Sequence, residues 1–172
     1  MRKFTLFLCI SIIFISCENS KGISSIAPIN WEKRTVNKKL SDSLKIGKSY
    51  LSVYSQIYST TEHRKHNLTV TVSMRNTNLH DTIFINNGSY YDTKGNLIRT
   101  YFSKPIFIKP METVEIVIDE TDKQGGTGAN FIFDWAINKT SNEPFFEGVM
   151  ISTSGQQGLS FTTTGKKITN YK

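Results

Sequence analysis

The sequence has little of what catalytic and disulfide-stabilised proteins depend on. It has two cysteines, Cys9 and Cys17, both near the N-terminus, and three histidines, all in polar stretches. Disulfides, zinc–thiolate sites and cysteine nucleophiles are therefore excluded after Cys17, and acid–base catalysis has few groups to use. After the N-terminal segment no apolar residues recur at helical spacing, and no Gly-x-Ser-x-Gly motif occurs.

Long hydrophobic runs are also missing, apart from one at the N-terminus. Arg2 and Lys3 precede an apolar stretch, residues 4–15, which is shorter than the ~20 residues of a membrane-spanning helix and has the layout of a signal peptide. Its end, Phe14-Ile15-Ser16-Cys17, resembles the lipobox of bacterial lipoproteins. That resemblance implies cleavage before Cys17 and its acylation, for example with palmitate. The alternative is an ordinary secretory signal with an incidental cysteine, since the lipobox usually has Leu where Phe14 stands.

The chain divides into three parts. Residues 1–16 are the predicted lipoprotein signal peptide, and residues 17–47, rich in Ser, Asn and Lys, predict a flexible tether. Residues 48–172 predict one β domain, onto which Trp31 and Ile46 are candidates to dock. The net charge of +7 comes with no basic stripe and no helical reading module, so nucleic acid is not an expected partner.

Alternating apolar and polar residues predict strands throughout the domain. The clearest is 68–75, and Phe131, Phe133 and Trp135 share the core face of another. A hairpin of residues 90–91 and 97–98 is expected to place Gly95 at positive φ. Further strands are predicted at 49–58, 82–85, 106–108, 114–118, 146–152 and 158–163, whereas 62–67 is a predicted charged turn and 86–88 a strand break. Eight or nine short strands predict an antiparallel β-sandwich, immunoglobulin-like, with a compact barrel as the alternative.

The loop 119–130 is the best candidate binding site. Its acidic residues precede a glycine-rich turn, so it offers oxygen ligands to a hard cation such as calcium, or backbone amides to an anion. Its spacing matches neither an EF-hand nor a phosphate loop, and a tight structural turn is the alternative interpretation. A second end loop, 154–158, adds two amide side chains. The candidate ligand residues are Asp119, Glu120, Asp122, Gly125, Gly126, Gly128, Asn130, Gln156 and Gln157.

Two other groups of residues suggest weaker sites. Glu62, His63 and His66 outline a surface metal site, although the adjacent Arg64 and Lys65 would repel a cation. A row of tyrosines on the predicted strand 49–58 would either stack on sugar rings or bury its rings in the core. These tyrosines are Tyr50, Tyr54 and Tyr58. No cofactor is predicted, and the metal is left open.

Six stretches of the domain resemble a bacterial family known as domain of unknown function 3124. Together they span about residues 48 to 168, and they are 51–58, 74–77, 90–97, 125–131, 149–151 and 155–158. The resemblance implies an exported or lipid-anchored protein of unassigned activity, and it supplies no catalytic residues.

These patterns predict an exported protein anchored by lipid to a bacterial membrane, at the periplasmic face or the cell surface. We expect it to bind or assemble rather than to catalyse, with the membrane and an envelope protein or glycan as candidate partners. The alternative is a metal-dependent hydrolase, in which Asp119, Glu120, Asp122 and a histidine would converge on one cation. A third hypothesis is a structural lipoprotein with an exposed sheet edge or apolar patch.

Overall fold

A computed structural model describes residues 29–153 and 157–168, in which alternating residues form strands and the only helix is a short 3-10 helix, Trp31–Arg34. The twelve strands of the described residues are β1 Lys45–Val53, β2 Gln56–Ser59, β3 Thr61–Asn67, β4 Thr69–Arg75, β5 Ile83–Tyr91, β6 Leu97–Thr100, β7 Ile106–Ile108, β8 Thr113–Ile118, β9 Ala129–Ile137, β10 Phe145–Ser152, β11 Leu159–Thr164 and β12 Lys166–Ile168. The one helix among the described residues is not long and apolar enough to cross a membrane.

The strands form two antiparallel sheets and one separate hairpin. The larger sheet has the order β12-β1-β9-β5-β6, with β7 also paired to β5, and the smaller has the order β11-β10-β4-β8. β2 and β3 pair only with each other. The sheets do not close into a barrel, so the predicted all-β sandwich is confirmed.

The core lies between the two sheets and contains the residues that the alternation assigned to it. Phe131, Phe133 and Trp135 of β9 are fully buried, as are Leu68 and the inward residues of β4. Phe133 stacks on Phe146 of the opposite sheet, with ring centroids 4.4 Å apart and planes 3° from parallel. Each buried aromatic side chain contributes about 1.5–3 kcal/mol through burial, so this contact is a main link between the sheets.

One lateral side of the sandwich is closed by a strand that changes sheet. β11 pairs with β10, and after Gly165 the chain continues as β12, which pairs with β1. At the corner, the Gly165 amide donates to the Phe146 carbonyl (2.8 Å), and a side chain at Gly165 would collide with Phe146. Glycine is needed there because the two backbones approach so closely.

The other lateral side is covered by residues 29–36, which we call the N-terminal strap. Thr35 bridges Ile106 of β7, and the Val36 amide donates to the Pro105 carbonyl (2.8 Å). Trp31 packs on Phe102, and Arg34 pairs with Glu112 at 2.8 Å. Part of the predicted tether is therefore packed against the domain. Ile46, the other docking candidate, is 76% exposed on β1.

The structure corrects three local predictions. The predicted strand 49–58 is two strands, because Ser55 is buried and its carbonyl accepts from the Leu68 amide, which turns the chain out of the large sheet. The predicted charged turn 62–67 lies in β3. Residues 61–65 of this strand are all exposed, so the strand has no apolar face that packs on the core. The predicted break at 86–88 lies inside β5, where a bulge between Ile85 and Asn87 absorbs the extra residue. The division of 49–58 into two strands, the exposed strand β3 and the unpredicted strand β12 raise the number of described strands above the eight or nine expected.

Candidate functional site

Four connections gather at one end of the sandwich, which we call the loop end. Ile118 and Ile151, near the ends of β8 and β10, pair with Val70 and Thr69 at the start of β4. Tyr91, at the end of β5, pairs with Asn130 at the start of β9. The loop end therefore carries the β2–β3 hairpin, residues 92–96, the loop 119–128 and the described part of the β10–β11 connection.

The first half of the loop 119–128 is organised by its own carboxylates. Asp119 Oδ1 accepts hydrogen bonds from the amide and the hydroxyl of Thr121, at 2.9 and 2.8 Å. Its carbonyl accepts from the amide of Asp122 (2.9 Å). Glu120 points to solvent, whereas the Asp122 side chain is only 1% exposed. The three predicted acidic residues thus occupy three different environments.

Asp122 is held by Arg99 of β6. Arg99 Nη2 lies 2.7 Å from Asp122 Oδ2 and also donates to Gln124 Oε1 at 2.8 Å. The guanidinium lies 5.8 Å and 6.0 Å from the ring centroids of Tyr90 and Tyr101, within cation–π distance. Burial raises the pKa of Tyr101 to about 12, and it raises the pKa of Tyr90 further. Both hydroxyls therefore stay neutral at physiological pH. The negative charge that balances the Arg99 guanidinium comes from the Asp122 carboxylate.

The glycine-rich half of the loop is a junction between neighbouring turns. Thr93 Oγ1 donates to the Gly125 carbonyl (2.9 Å), and the Gln56 amide donates to the Gly126 carbonyl (3.0 Å). Gly126 has φ +70°, a conformation that favours glycine. Asn130 donates to the Gly128 carbonyl (3.2 Å) and accepts from the Tyr50 hydroxyl (2.6 Å). These bonds fix the loop against the hairpins on both sides.

Position 125 requires glycine for a different reason: there is no space for a side chain. A Cβ there would collide with the Tyr90 hydroxyl and would lie 2.9 Å from Ser55 Oγ and 2.8 Å from the Cβ of Ala129. The backbone of the loop therefore packs directly over the buried tyrosine.

The predicted metal centres are not assembled. Within residues 29–153 and 157–168, no group of three or more His, Cys, Asp and Glu side chains could hold a metal ion. Asp119 and Asp122 bond to Thr121 and Arg99 instead, so the convergence with a histidine that the hydrolase alternative requires is not found in the described chain. Glu62 and His63 are 3.4 Å apart on β3, and both are mostly exposed.

The second predicted loop lies beside the hairpin. Gln156 falls outside the described residues, while Gln157 is exposed and lines a depression of about 270 Å³ with His66 of β3. The remaining walls of that depression are Ser152, Gly158 and Leu159. Both predicted loops thus border the β2–β3 hairpin.

The predicted row of tyrosines does not form. Tyr50 lies on β1, Tyr54 packs against Phe161 at the turn between strands (5.8 Å between centroids), and Tyr58 is 56% exposed on β2. Because the chain turns at Tyr54 and Ser55, these side chains cannot share one sheet face.

Several residues that build the loop end gave no sequence signal. Arg99 lies 23 residues from Asp122 and is a single cation on a short strand. Thr93 and Ser55 are small polar residues in predicted turn or strand positions. Only the strand pairing brings them to the loop, so no motif or spacing in the sequence could have identified them.

The fold and the loop end define an all-β antiparallel sandwich whose connections meet at one end. The chain belongs to the family described as protein of unknown function (DUF3124), whose family model matches residues 46–168. The resemblance of the domain to domain of unknown function 3124 is thereby confirmed.

Other known proteins add little to this assignment. No curated protein matches the chain. The crystal structure of Thermotoga maritima 1070 is similar with a TM-score of 0.44 and 9% sequence identity, over 70% of this chain and 92% of that chain. A similarity of this size says nothing about function.

Proposed function

We propose that the protein is a lipid-anchored module of a bacterial envelope that docks an acidic partner protein through the β2–β3 hairpin at the loop end. The observation that carries this proposal is the position of the hairpin. It pairs with neither sheet of the sandwich, and residues 61–65 of β3 are all exposed. An isolated two-stranded hairpin is marginally stable, so its strands are available for contacts with another chain.

The exposed chemistry of the hairpin suits a protein partner. Tyr58 is 56% exposed, and Lys65 on the paired strand lies 5.5 Å from the centroid of its ring. Arg64 is exposed beside them, and Tyr and Arg are, with Trp, the side chains enriched at energetic centres of interfaces. Two cations against the single anion Glu62 give β3 a basic character, which favours an acidic surface.

The base of the hairpin is fixed by hydrogen bonds, whereas residues 61–65 beyond the base are exposed to solvent. Gln56 Nε2 donates to Asn67 Oδ1 (2.9 Å), while the amides of Gln56 and Leu68 bond to Gly126 and Ser55. Ile57 packs against the core. A surface held in one orientation loses less entropy when it binds than a mobile loop does.

The anchor in this proposal is Cys17, at the end of the lipobox-like sequence. A chain spans at most about 3.3–3.6 Å per residue, so the segment between Cys17 and Ile29 reaches about 40 Å when fully extended. The anchor would therefore hold Ile29, where the strap begins, within about 40 Å of the membrane surface.

The anchor is tested by comparing the wild type with Cys17→Ala in a bacterial host, using intact mass and detergent partition. The proposal expects acyl mass on the wild type and a shift of Cys17→Ala to the aqueous phase. A wild type without acyl mass, cleaved elsewhere, would reject the lipid anchor.

The docking surface is tested separately with a photo-crosslinking phenylalanine analogue at Tyr58, in cells that express the full chain. The matched control carries the analogue at Lys139, an exposed residue in the β9–β10 connection at the opposite end. A discrete adduct is expected from Tyr58 only, and it should be lost when Arg64→Glu and Lys65→Glu are added. Equal adducts from both positions, or no adduct from Tyr58, would reject the hairpin as the docking surface.

A further inference from the structure

A cleft of about 600 Å³ lies between the N-terminal strap and the β6–β7 connection. Small-molecule sites usually measure ~300–1,000 Å³, so this cleft has the size of a ligand site. It lies on the lateral side of the sandwich that the strap covers, no residue of the β2–β3 hairpin lines it, and we call it the strap cleft. No predicted site residue lines it.

One wall of the strap cleft is aromatic. Trp31 from the strap and Tyr101 and Phe102 from the β6–β7 connection line it. The Trp31 and Phe102 rings are 5.0 Å apart with their planes at 52°, and Phe102 is only 6% exposed. Trp31 is half-buried, so its ring has a packed side and a side that reaches solvent.

The wall is held in place by contacts within the strap and between the strap and the domain. Thr35 Oγ1 donates to the Trp31 carbonyl (3.0 Å), which ties the two ends of the 3-10 helix together. The Arg34–Glu112 pair and the bond from Val36 to Pro105 then fasten the strap to the domain. The aromatic wall is therefore formed before any ligand arrives, which lowers the entropy cost of binding.

The remaining lining is polar and has no net charge. Glu32 is its one acidic side chain and Lys104 its one basic side chain. Asn37, Thr100 and Ser103 add amide and hydroxyl groups, each able both to donate and to accept hydrogen bonds. An anionic ligand would be repelled by Glu32 and a cationic ligand by Lys104, so the lining favours a neutral ligand.

We propose that the strap cleft binds a neutral oligosaccharide of two or three sugar rings. A sugar ring has an apolar C–H face that packs on an aromatic ring, and hydroxyl groups at its edge that need donors and acceptors. The strap cleft presents both kinds of surface together. A flat aromatic ligand would use the Trp31 ring but would leave the hydroxyl and amide groups unmatched, at a cost for each desolvated polar group.

This inference goes beyond the proposed docking of a protein partner, and it does not depend on the hairpin. The hairpin substitutions Arg64→Glu and Lys65→Glu leave every residue of the strap cleft unchanged. Failure of hairpin docking and failure of sugar binding are therefore separate results.

The test uses the two tryptophans as reporters. The full chain, labelled with 5-fluorotryptophan, is titrated by ¹⁹F NMR with cellotriose, maltotriose, mannotriose and triacetylchitotriose, and Trp31→Phe assigns the two signals. Trp135 is fully buried and its indole donates to Ser49 Oγ (3.0 Å), so it serves as an internal control. At least one neutral trisaccharide is expected to shift the Trp31 signal saturably and to leave the Trp135 signal in place.

A matched pair of variants tests the polar lining. Asn37→Ala removes one hydrogen-bonding group and should weaken binding about fivefold, the effect of one neutral hydrogen bond. Lys139→Ala, at an exposed position outside the cleft, should leave the affinity unchanged. Trigalacturonate, a charged analogue, should bind more weakly than the best neutral sugar. No saturable Trp31 shift with any neutral trisaccharide, or equal shifts of both tryptophans, would overturn the proposal.

Discussion

Arg99 Nη2 lies 2.7 Å from Oδ2 of Asp122, a carboxylate whose side chain is only 1% exposed. This ion pair joins strand β6 to the loop 119–128, which contains most of the candidate binding residues. Arg99 also contacts Gln124 of the same loop and lies over two buried tyrosine rings. The sequence predicted Asp122 as a cation ligand, but in the fold its carboxylate pairs with Arg99 and fixes the loop.

Removal of the guanidinium should destabilise the protein strongly. Arg99→Met would leave the buried Asp122 carboxylate without its ion-pair partner, and breaking a buried pair from one side costs about 3–5 kcal/mol. We expect the free energy of unfolding to fall by about 3 kcal/mol, measured by urea denaturation. The matched control is Lys123→Met, in the same loop and exposed, which should change the free energy by less than about 0.5 kcal/mol. Equal effects of the two substitutions would contradict the structural role of the pair.

The buried tyrosines should make stability fall at alkaline pH. Burial raises the pKa of Tyr101 from its ordinary value of 10.0 to about 12, so the unfolded chain loses this proton first. Tyr101 therefore contributes stability that is complete below pH 10 and is lost between pH 10 and about 12. The expected slope is about 1.4 kcal/mol per pH unit for this residue, measured by denaturation at a series of pH values.

Tyr101→Phe provides the control for this pH dependence. The phenylalanine cannot ionise, so the loss of stability above pH 10 should become less steep by the same slope. An unchanged slope in Tyr101→Phe would show that this hydroxyl titrates normally in the folded protein. Absorbance of ionised tyrosine at 295 nm follows the titration directly.

Gly125 should not tolerate a side chain. In Gly125→Ala the new Cβ would collide with the Tyr90 hydroxyl, and overpacking of this kind costs about 1–3 kcal/mol. Gly158→Ala is the control, since nothing lies within 4 Å of a Cβ at that glycine. Thermal unfolding should show a clearly lower Tm for Gly125→Ala only. Similar Tm values for both variants would mean that the loop can move away from Tyr90.

The strap should loosen when its ion pair is removed. Arg34 and Glu112 are about one-quarter exposed, so the pair contributes at most about 1 kcal/mol. The hydrogen bond from Arg34 lowers the pKa of Glu112 below its ordinary value of 4.5. The contribution is therefore present above pH 4.5 and is lost as pH falls through the lowered pKa. In Arg34→Ala, we expect the Val36 amide to exchange its hydrogen up to about fivefold faster at neutral pH.

The control for the strap is the exposed pair of Lys39 and Asp42, whose side chains are 83% and 86% exposed. Lys39→Ala should leave the exchange of the Val36 amide unchanged. Faster exchange in Lys39→Ala, or no acceleration in Arg34→Ala, would contradict the proposed fastening of the strap.

The sequence predicted the core better than it predicted the connections. Phe131, Phe133 and Trp135 were assigned to one buried face because their neighbours alternate in polarity, and the fold buries all three. The hairpin with Gly95 at positive φ (+83°) was also predicted, because its turn is local. β3 was missed because polar residues on both faces leave no alternation to detect.

The candidate site was predicted as a segment, but not as an arrangement. The loop 119–130 stood out because its acidic residues and glycines are consecutive. Its partners come from two other parts of the chain: Thr93 and Arg99 from the β5–β6 hairpin, and Gln56 from β2. The strap cleft likewise combines residues near 31 with residues near 101. The lipid anchor at Cys17 stays a prediction of the sequence.

By itself, then, the sequence determined the all-β class, the residues of the core, the lack of thiols after Cys17 and membership of the family. The first two follow from neighbours one or two positions apart, where solvent exposure imposes a local pattern, and the third follows from residue type. Membership of the family follows from the match over residues 46–168. Only the tertiary structure decided that Arg99 meets Asp122, that the chain turns at Ser55, and that the strap forms a cleft with Phe102. Such contacts depend on the register of strands far apart in the sequence, and no local pattern encodes that register.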